Sequence, residues 1–122
     1  MIQLQHWLSC DRLLITDETH RASVQVDIFK RDDFRRNYRA DALLYSLWVD
    51  EPHRRQGAAR LLIEAAEREA ASHGCRSLAL EWDRREAAVW TLEWYERLGY
   101  EEKAFGNHNS LLVKQLRKGG KQ

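Results

Sequence analysis

Val49-Asp50-Glu51-Pro52-His53-Arg54-Arg55-Gln56-Gly57-Ala58-Ala59-Arg60-Leu61-Leu62 carries the end of a strand through a short basic loop directly into an amphipathic helix. The first-turn amides of a helix lack intrahelical partners and sit at the positive end of the macrodipole, so a glycine-containing loop there can wrap a phosphate in N–H groups. Gly57 permits close backbone approach, and Ala58 and Ala59 keep the first turn free of bulk. Arg54, Arg55 and Arg60, with Gln56 between them, can add charge-assisted hydrogen bonds, which suits a diphosphate. The competing reading is solvated charge beside an ordinary turn glycine.

Upstream of the loop the pattern is that of strands. Ile2, Leu4, His6 and Leu8 alternate with polar residues, Arg12 to Thr16 is apolar and β-rich, Val24, Val26 and Ile28 alternate again, and Ala42 to Val49 is the longest apolar run. Thr16 to His20 reads as a hairpin loop and Lys30 to Asn37 as a polar link too charged for a core. Short links between these four strands predict an antiparallel meander.

Downstream the period changes. Leu61, Leu62, Ala65 and Ala66 recur at helical spacing from Ala58 to His73, with Glu64, Glu67, Arg68 and Glu69 outside and Gly74 as the stop. A strand over Arg76–Trp82, a helix over Glu86–Leu98 closed by Gly99, and strands over Tyr100–Phe105 and Ser110–Leu116 come next. Joining Val49 to Leu78 by a strand–helix–strand link implies a parallel pair and hence a mixed sheet. The chain therefore reads as one α/β (α+β) domain over residues 1–117: meander, then helix-strand-helix, then a C-terminal hairpin, with 118–122 as a frayed tail.

A second motif lies beyond the loop. Val89 to Tyr100 reads Val-Trp-Thr-Leu-Glu-Trp-Tyr-Glu-Arg-Leu-Gly-Tyr. Together, Arg54-x-x-Gly57-x-Ala59 and this helix resemble the acetyl-CoA pyrophosphate motif and the second motif of the GNAT N-acetyltransferase superfamily, in the family's order and spacing. The resemblance covers roughly Ala42 to the C-terminus. It implies that the strand before the loop splays from its parallel neighbour, with the pantetheine of acetyl-CoA bonded in the gap at Leu47, Trp48 and Val49. It also implies that Tyr95 protonates the departing thiolate, a reasonable task for a phenol in reach of the sulfur. Read without the resemblance, Trp48 and Tyr95 are core aromatics, and Trp90 and Trp94 are either core or interface.

The chain departs from the family pattern in three places. Ala88 stands where many members have a cofactor-contacting asparagine, and Leu43, Tyr45 and Ser46 stand where members carry acidic residues or histidine. An attacking ammonium must first lose a proton, so Glu81 and Asp83 at the end of their strand become the base candidates, Glu81 foremost; the bland alternative is surface charge. Only Ser9-Cys10-Asp11 separates Leu8 from Arg12, where the family usually inserts two helices walling the acceptor site. An open groove is expected, for a large amine acceptor such as a protein terminus, or covered by a partner such as a second copy in a homodimer.

Composition narrows the classes further. At 122 residues, with 43% hydrophobic and 32% charged, the chain suits one globular core. Lys plus Arg at 20 against Asp plus Glu at 19 lacks the basic surplus of a nucleic-acid binder. Neither the 2 cysteines nor the 5 histidines fall in metal-ligating patterns, so no metal is assigned, and no run is long enough for a membrane span. Idle thiols and no leader-like start suggest the cytoplasm. The expected activity is acetyl transfer from acetyl-CoA to an amine by direct attack in a ternary complex; the alternative is an acyl-CoA-binding module without turnover.

Overall fold

The computed structural model describes residues 1–116. Seven strands, β1 (Ile2–His6), β2 (Cys10–Asp17), β3 (Ala22–Phe29), β4 (Ala42–Val49), β5 (Ser77–Asp83), β6 (Glu101–Phe105) and β7 (Asn109–Gln115), form one sheet in the order β1-β2-β3-β4-β5-β7-β6. All neighbours are antiparallel except β4 and β5, which run parallel. The mixed α/β sheet matches the expected architecture; the tail at 118–122 lies outside the described residues.

Three helices join the strands: α1 (Asp32–Tyr38), α2 (Ala58–Ser72) and α3 (Val89–Arg97). The crossover helix α2 buries Leu62, Ile63, Ala66 and Ala70 against Leu13, Ile15, Val24, Val26, Ala42 and Leu44 of the sheet. Its buried stripe is rotated from the expected one, for Ile63 points inward and Leu61 is 54% exposed. Glu67, expected outside, turns inward because it holds the Tyr100 hydroxyl.

The Lys30–Asn37 link is a correction: residues Asp32–Tyr38 are helical. Asp32 and Asp33 lie in the first turn, where negative charge suits the macrodipole, and Arg35 pairs with Asp32 one turn on. Phe34 and Tyr38, four apart and so on one face, pack their rings on Phe29 at centroid distances of 5.8 and 5.3 Å. This helix lies on the sheet face opposite α2, with a second apolar cluster of Ala40, Ala79 and Val113 beneath Tyr38 and Leu43.

The second motif helix starts at Val89 rather than Glu86. Asp83 organises a turn ahead of it, accepting the Arg85 amide at 2.8 Å through its carboxylate and the Ala87 amide at 2.9 Å through its carbonyl. Ala88, in extended conformation, then opens the helix with no side-chain cap.

Candidate active site

The parallel pair separates almost as soon as it forms. Only Ala42↔Leu78 and Leu43↔Ala79 are in register, and nothing beyond Leu43 pairs with β5. The cause lies in β4 itself. Between the pairs Gln25↔Tyr45 and Ser23↔Trp48, two residues of β4 oppose the single Val24, with Ser46 at φ 54. An extra residue bends the bulged strand and re-aims the residues after it. Leu47 and Val49 thereafter pack against the α2-side core, while Trp48, on the other face, is 54% exposed. The core reading of Trp48 therefore fails. The Asp50 amide bonds the Arg21 carbonyl, so the ladder phase turns the peptide groups of Trp48 to Ser23 of β3 and those of Leu47 and Val49 to the open gap; the expected pantetheine bond at Trp48 is a correction.

Past the gap, a short 3-10 turn over Glu51–His53 leads into the loop. Arg55 and Gly57 both have positive φ, 66 and 83, and Gly57 is the N-cap of α2, with no side chain capping the helix. The first intrahelical bond runs from the Leu61 amide to the Gly57 carbonyl at 3.1 Å, so the amides of Ala58, Ala59 and Arg60 are open to a ligand. A Cβ built on Gly57 meets nothing within 4 Å. The space in front of this turn is thus free, and the turn fits an anion by geometry and by dipole.

The three arginines are not equivalent. Arg54 folds back, its Nε donating to the Val49 carbonyl at 2.9 Å and its guanidinium lying 5.1 Å from the Trp48 ring centroid. Arg60 pairs with Glu64 one turn along the helix at 3.2 Å. Arg55 and Gln56 are exposed, and Arg55 makes no ion pair among the described residues.

Tyr95 packs against the same core cluster as Leu47 and Val49, on the α2 side of the sheet. Its ring meets Trp94 at 5.1 Å and Tyr100 edge-on at 6.1 Å. Burial pushes its phenol above the usual tyrosine range, so the proton is retained at neutral pH. The hydroxyl has no hydrogen-bond partner among the described residues, yet it is not sealed in the interior, which leaves it able to donate outward.

Support for Tyr95 comes from a polar group that the sequence does not advertise. Tyr100 is 1% exposed, and its hydroxyl donates to Glu67 of α2 at 2.9 Å, while Lys114 of β7 donates to the other Glu67 oxygen at 3.0 Å. Gly99, at φ +105, makes the turn between the two tyrosines; a Cβ there would come within 3.1 Å of the Lys114 side chain. The Leu-Gly-Tyr ending of the motif therefore seats Tyr100 behind Tyr95.

Glu81 lies on the opposite face. Leu78, Leu80 and Trp82 point to the α2-side core and Ala79 to the α1 side, so strand alternation sends Glu81 with Ala79. It is exposed and without an ion pair among the described residues. The structure does not bring Glu81 and Tyr95 into contact; they flank the sheet from its two sides. Asp83 is engaged by Arg85 at 3.1 Å, which lowers its pKa.

Sharing that face with Glu81 is a group that sequence reasoning left unassembled. Arg12 makes a two-pronged bond to Asp27, 2.8 and 3.1 Å, and the Tyr45 hydroxyl donates to the same carboxylate at 2.9 Å. Burial and this bond push Tyr45 up to about 12, so it serves as a donor rather than a base. Period-two alternation on β2, β3 and β4 could have placed the three side chains together, given the register. Helix α1 sets Tyr38 over the cluster of Ala40, Ala79 and Val113 but leaves Glu81 exposed. A separate cavity of about 570 Å³, lined by Asp11, Lys30, Asp41, Cys75 and Arg76 among others, lies at the other end of β4 and β5 and takes no part in this site.

A mixed sheet parted at its parallel pair, with an uncapped helix start beside the opening, defines an α/β acyltransferase fold. The family model described as "Acetyltransferase (GNAT) family" matches residues 7–100, and the chain belongs to that family. Its members are acyltransferases that use acetyl-CoA. A comparison with curated proteins finds no match. Among solved structures, PaiA N-acetyltransferase from Thermoplasma acidophilum, in complex with coenzyme A, is similar at TM-score 0.65 and 12% identity, covering 85% of this chain and 59% of that one. The ribosomal-protein-S18-alanine N-acetyltransferase from Escherichia coli gives 0.61 and 18%, covering 94% and 74%. An acetyltransferase from Bacillus cereus gives 0.59 and 23%, covering 86% and 71%. At these identities the likeness speaks to the fold. No cluster of ligating side chains that could hold a metal occurs among the described residues, and no helix there is long and apolar enough to cross a membrane.

Proposed function

We propose that residues 1–117 form a single catalytic domain that transfers acetyl from acetyl-CoA to an amine by direct attack in a ternary complex. The observation that carries this is the parting of β4 from β5 beside the open first turn of α2, which offers a slot and an anion cradle in line. The amides of Ala58, Ala59 and Arg60, with Arg55, Gln56 and Gly57, hold the pyrophosphate, and Arg54 and Arg60 supply further positive charge. The gap-facing peptide groups of Leu47 and Val49, on either side of Trp48, bond the pantetheine along the slot.

Chemistry follows from the two sides of the sheet. Glu81, on the open face, takes a proton from the incoming ammonium; the freed amine attacks the thioester carbonyl, forming the C–N bond as the C–S bond breaks. Tyr95, on the α2 side, donates its proton to the leaving sulfur; the acylated nitrogen sheds its remaining extra proton to solvent, from which the Tyr95 phenolate regains one. A slot through the sheet lets the two act on one carbonyl without touching each other. The exposure of Glu81 suits a bulky acceptor, such as the amine of a peptide or protein, over an enclosed small molecule. Two free, buried thiols, Cys10 and Cys75, support a reducing compartment such as the cytoplasm.

Free-thiol release from acetyl-CoA, measured against small amines, peptides and proteins, tests the reading. Turnover with one acceptor class and its loss in Glu81→Gln support it. Tight coenzyme A binding with no turnover for any amine would leave the non-catalytic acyl-CoA-binding module in its place.

A further inference from the structure

The two edges of the sheet are built differently. At one edge β6 reads Glu-Glu-Lys-Ala-Phe, and its register with β7 shifts between Glu102 and Ala104. Charge and an irregularity are the devices by which edge strands avoid pairing with other chains. At the other edge β1 reads Ile-Gln-Leu-Gln-His, with no proline, carboxylate, lysine or arginine, and its register with β2 runs unbroken from Ile2↔Ile15 to His6↔Asp11. His6 is engaged by Asp11 of its own chain at 2.8 Å.

The phase of the β1–β2 ladder fixes what this bare edge presents. Thr16 donates to the Met1 carbonyl at 2.8 Å and Trp7 donates to the Cys10 carbonyl at 2.9 Å, so the odd-numbered residues of β1 spend their peptide groups on β2. The N–H and C=O groups of Ile2, Leu4 and His6 therefore face outward, unpaired among the described residues. Their side chains lie on the α2-side face, beside Ile15 and Leu13, but beyond the reach of α2: Ile2 is 46% and Leu4 44% exposed.

We propose that two copies of the chain join β1 to β1 in antiparallel fashion, about a two-fold axis at Leu4, into one continuous sheet. In that register Leu4 meets Leu4 of the partner subunit, Ile2 meets His6 of the partner subunit, and every outward peptide group of the three residues finds a partner. The uncharged strand meets an uncharged strand, with no like charges opposed, and the exposed Ile2 and Leu4 extend the apolar face across the junction. A second copy fits better than a charged foreign strand because the edge offers no charge to answer one, and an isologous contact is self-complementary. This edge is distinct from the proposed acceptor face, and the inference stands or falls independently of catalysis.

Sedimentation equilibrium of the whole chain, from about 1 to 200 µM, with amide exchange by NMR, tests the pairing. The expected result is a dimer whose Ile2, Leu4 and His6 amides become protected as concentration rises. Leu4→Lys, at a half-exposed position and with its melting temperature checked, should weaken the dimer at least about tenfold by opposing like charges, and mixing it with Leu4→Glu should restore association. A monomer at the highest concentration, a dimer indifferent to Leu4→Lys, unprotected amides at the three positions, or failure of the mixed variants to associate would each overturn the proposal.

Discussion

Substituting Gly57 by Glu separates the fold from the proposed anion cradle. The residue sits at φ +83, where an L side chain is strained, yet its Cβ would meet no protein atom within 4 Å. The cost to folding is therefore conformational alone, about 1–2 kcal/mol, or a fall in melting temperature of about 4–8 °C for a chain of this size. The cost to binding is larger. A carboxylate held about 5 Å from one diphosphate charge repels it by about 3 kcal/mol at an effective dielectric of about 20, a loss of about two orders of magnitude in affinity. Gly57→Ala provides the control, since it carries the same backbone strain and a methyl group but no charge, and should lose about tenfold or less. Titration calorimetry with coenzyme A, alongside thermal melts of both variants, measures the two quantities separately. A folded Gly57→Glu protein that binds coenzyme A as the parent does would refute the placement of the pyrophosphate at the start of α2.

Tyr95→Phe is expected to lower kcat by about ten- to a thousand-fold with little change in coenzyme A affinity, as when only proton donation is removed; single-turnover kinetics beside calorimetry would show it, and unaltered kcat would return Tyr95 to the core. Tyr100→Phe breaks the bond to the Glu67 carboxylate and should cost about 1–3 kcal/mol, read as a lower denaturation midpoint. Tyr45, raised to about 12 from an ordinary value of 10.0, makes stability alkali-sensitive: its contribution is whole below pH 10, where both folded and unfolded forms are protonated, and is lost as pH rises toward 12. Melts of Tyr45→Phe across that window should show a shallower alkaline decline than the parent, and an identical slope would contradict the assignment.

The fold was legible where pattern and burial agree. Alternation in Val24, Val26 and Ile28 and the long run from Ala42 placed two central strands, and all three residues of the first set are core. The features that escaped depend on side chains meeting across distance in the chain. Helix α1 was hidden because Asp32, Arg35 and Arg36 dominate its composition, while its reason to fold is the four-residue spacing of Phe34 and Tyr38 over Phe29. Glu67 looked like one more outward carboxylate of α2; only Tyr100, thirty-three positions on, and Lys114 draw it inward. At the site, the loop and the tyrosine helix could be read from the chain as local motifs. The association of Arg12, Asp27 and Tyr45 could not, since it needs the register of three strands.

The bulge in β4 shows why the site occurs where it does. A strand of eight residues alongside one of seven would ordinarily share a long parallel ladder, yet two pairs form. Each forgone bond sacrifices about 1 kcal/mol of net stability, and Ser46 in the left-handed region adds strain of its own. Arg55 and Gly57 hold positive φ further along, so Ser46, Arg55 and Gly57 make three such residues in this one stretch. The other non-glycine positive φ values, at Arg21 and Arg39, lie at a hairpin turn and a helix end, where chain reversal accounts for them. Between Ser46 and Gly57, reversal does not account for a strand bent away from its partner. The strain falls on residues that border the gap and on those proposed to cradle the anion, and it is sustained by the core on which α2 packs. That coincidence makes the opening a built feature of the sheet, and it ties the fold of this chain to the acyl-CoA chemistry of its family.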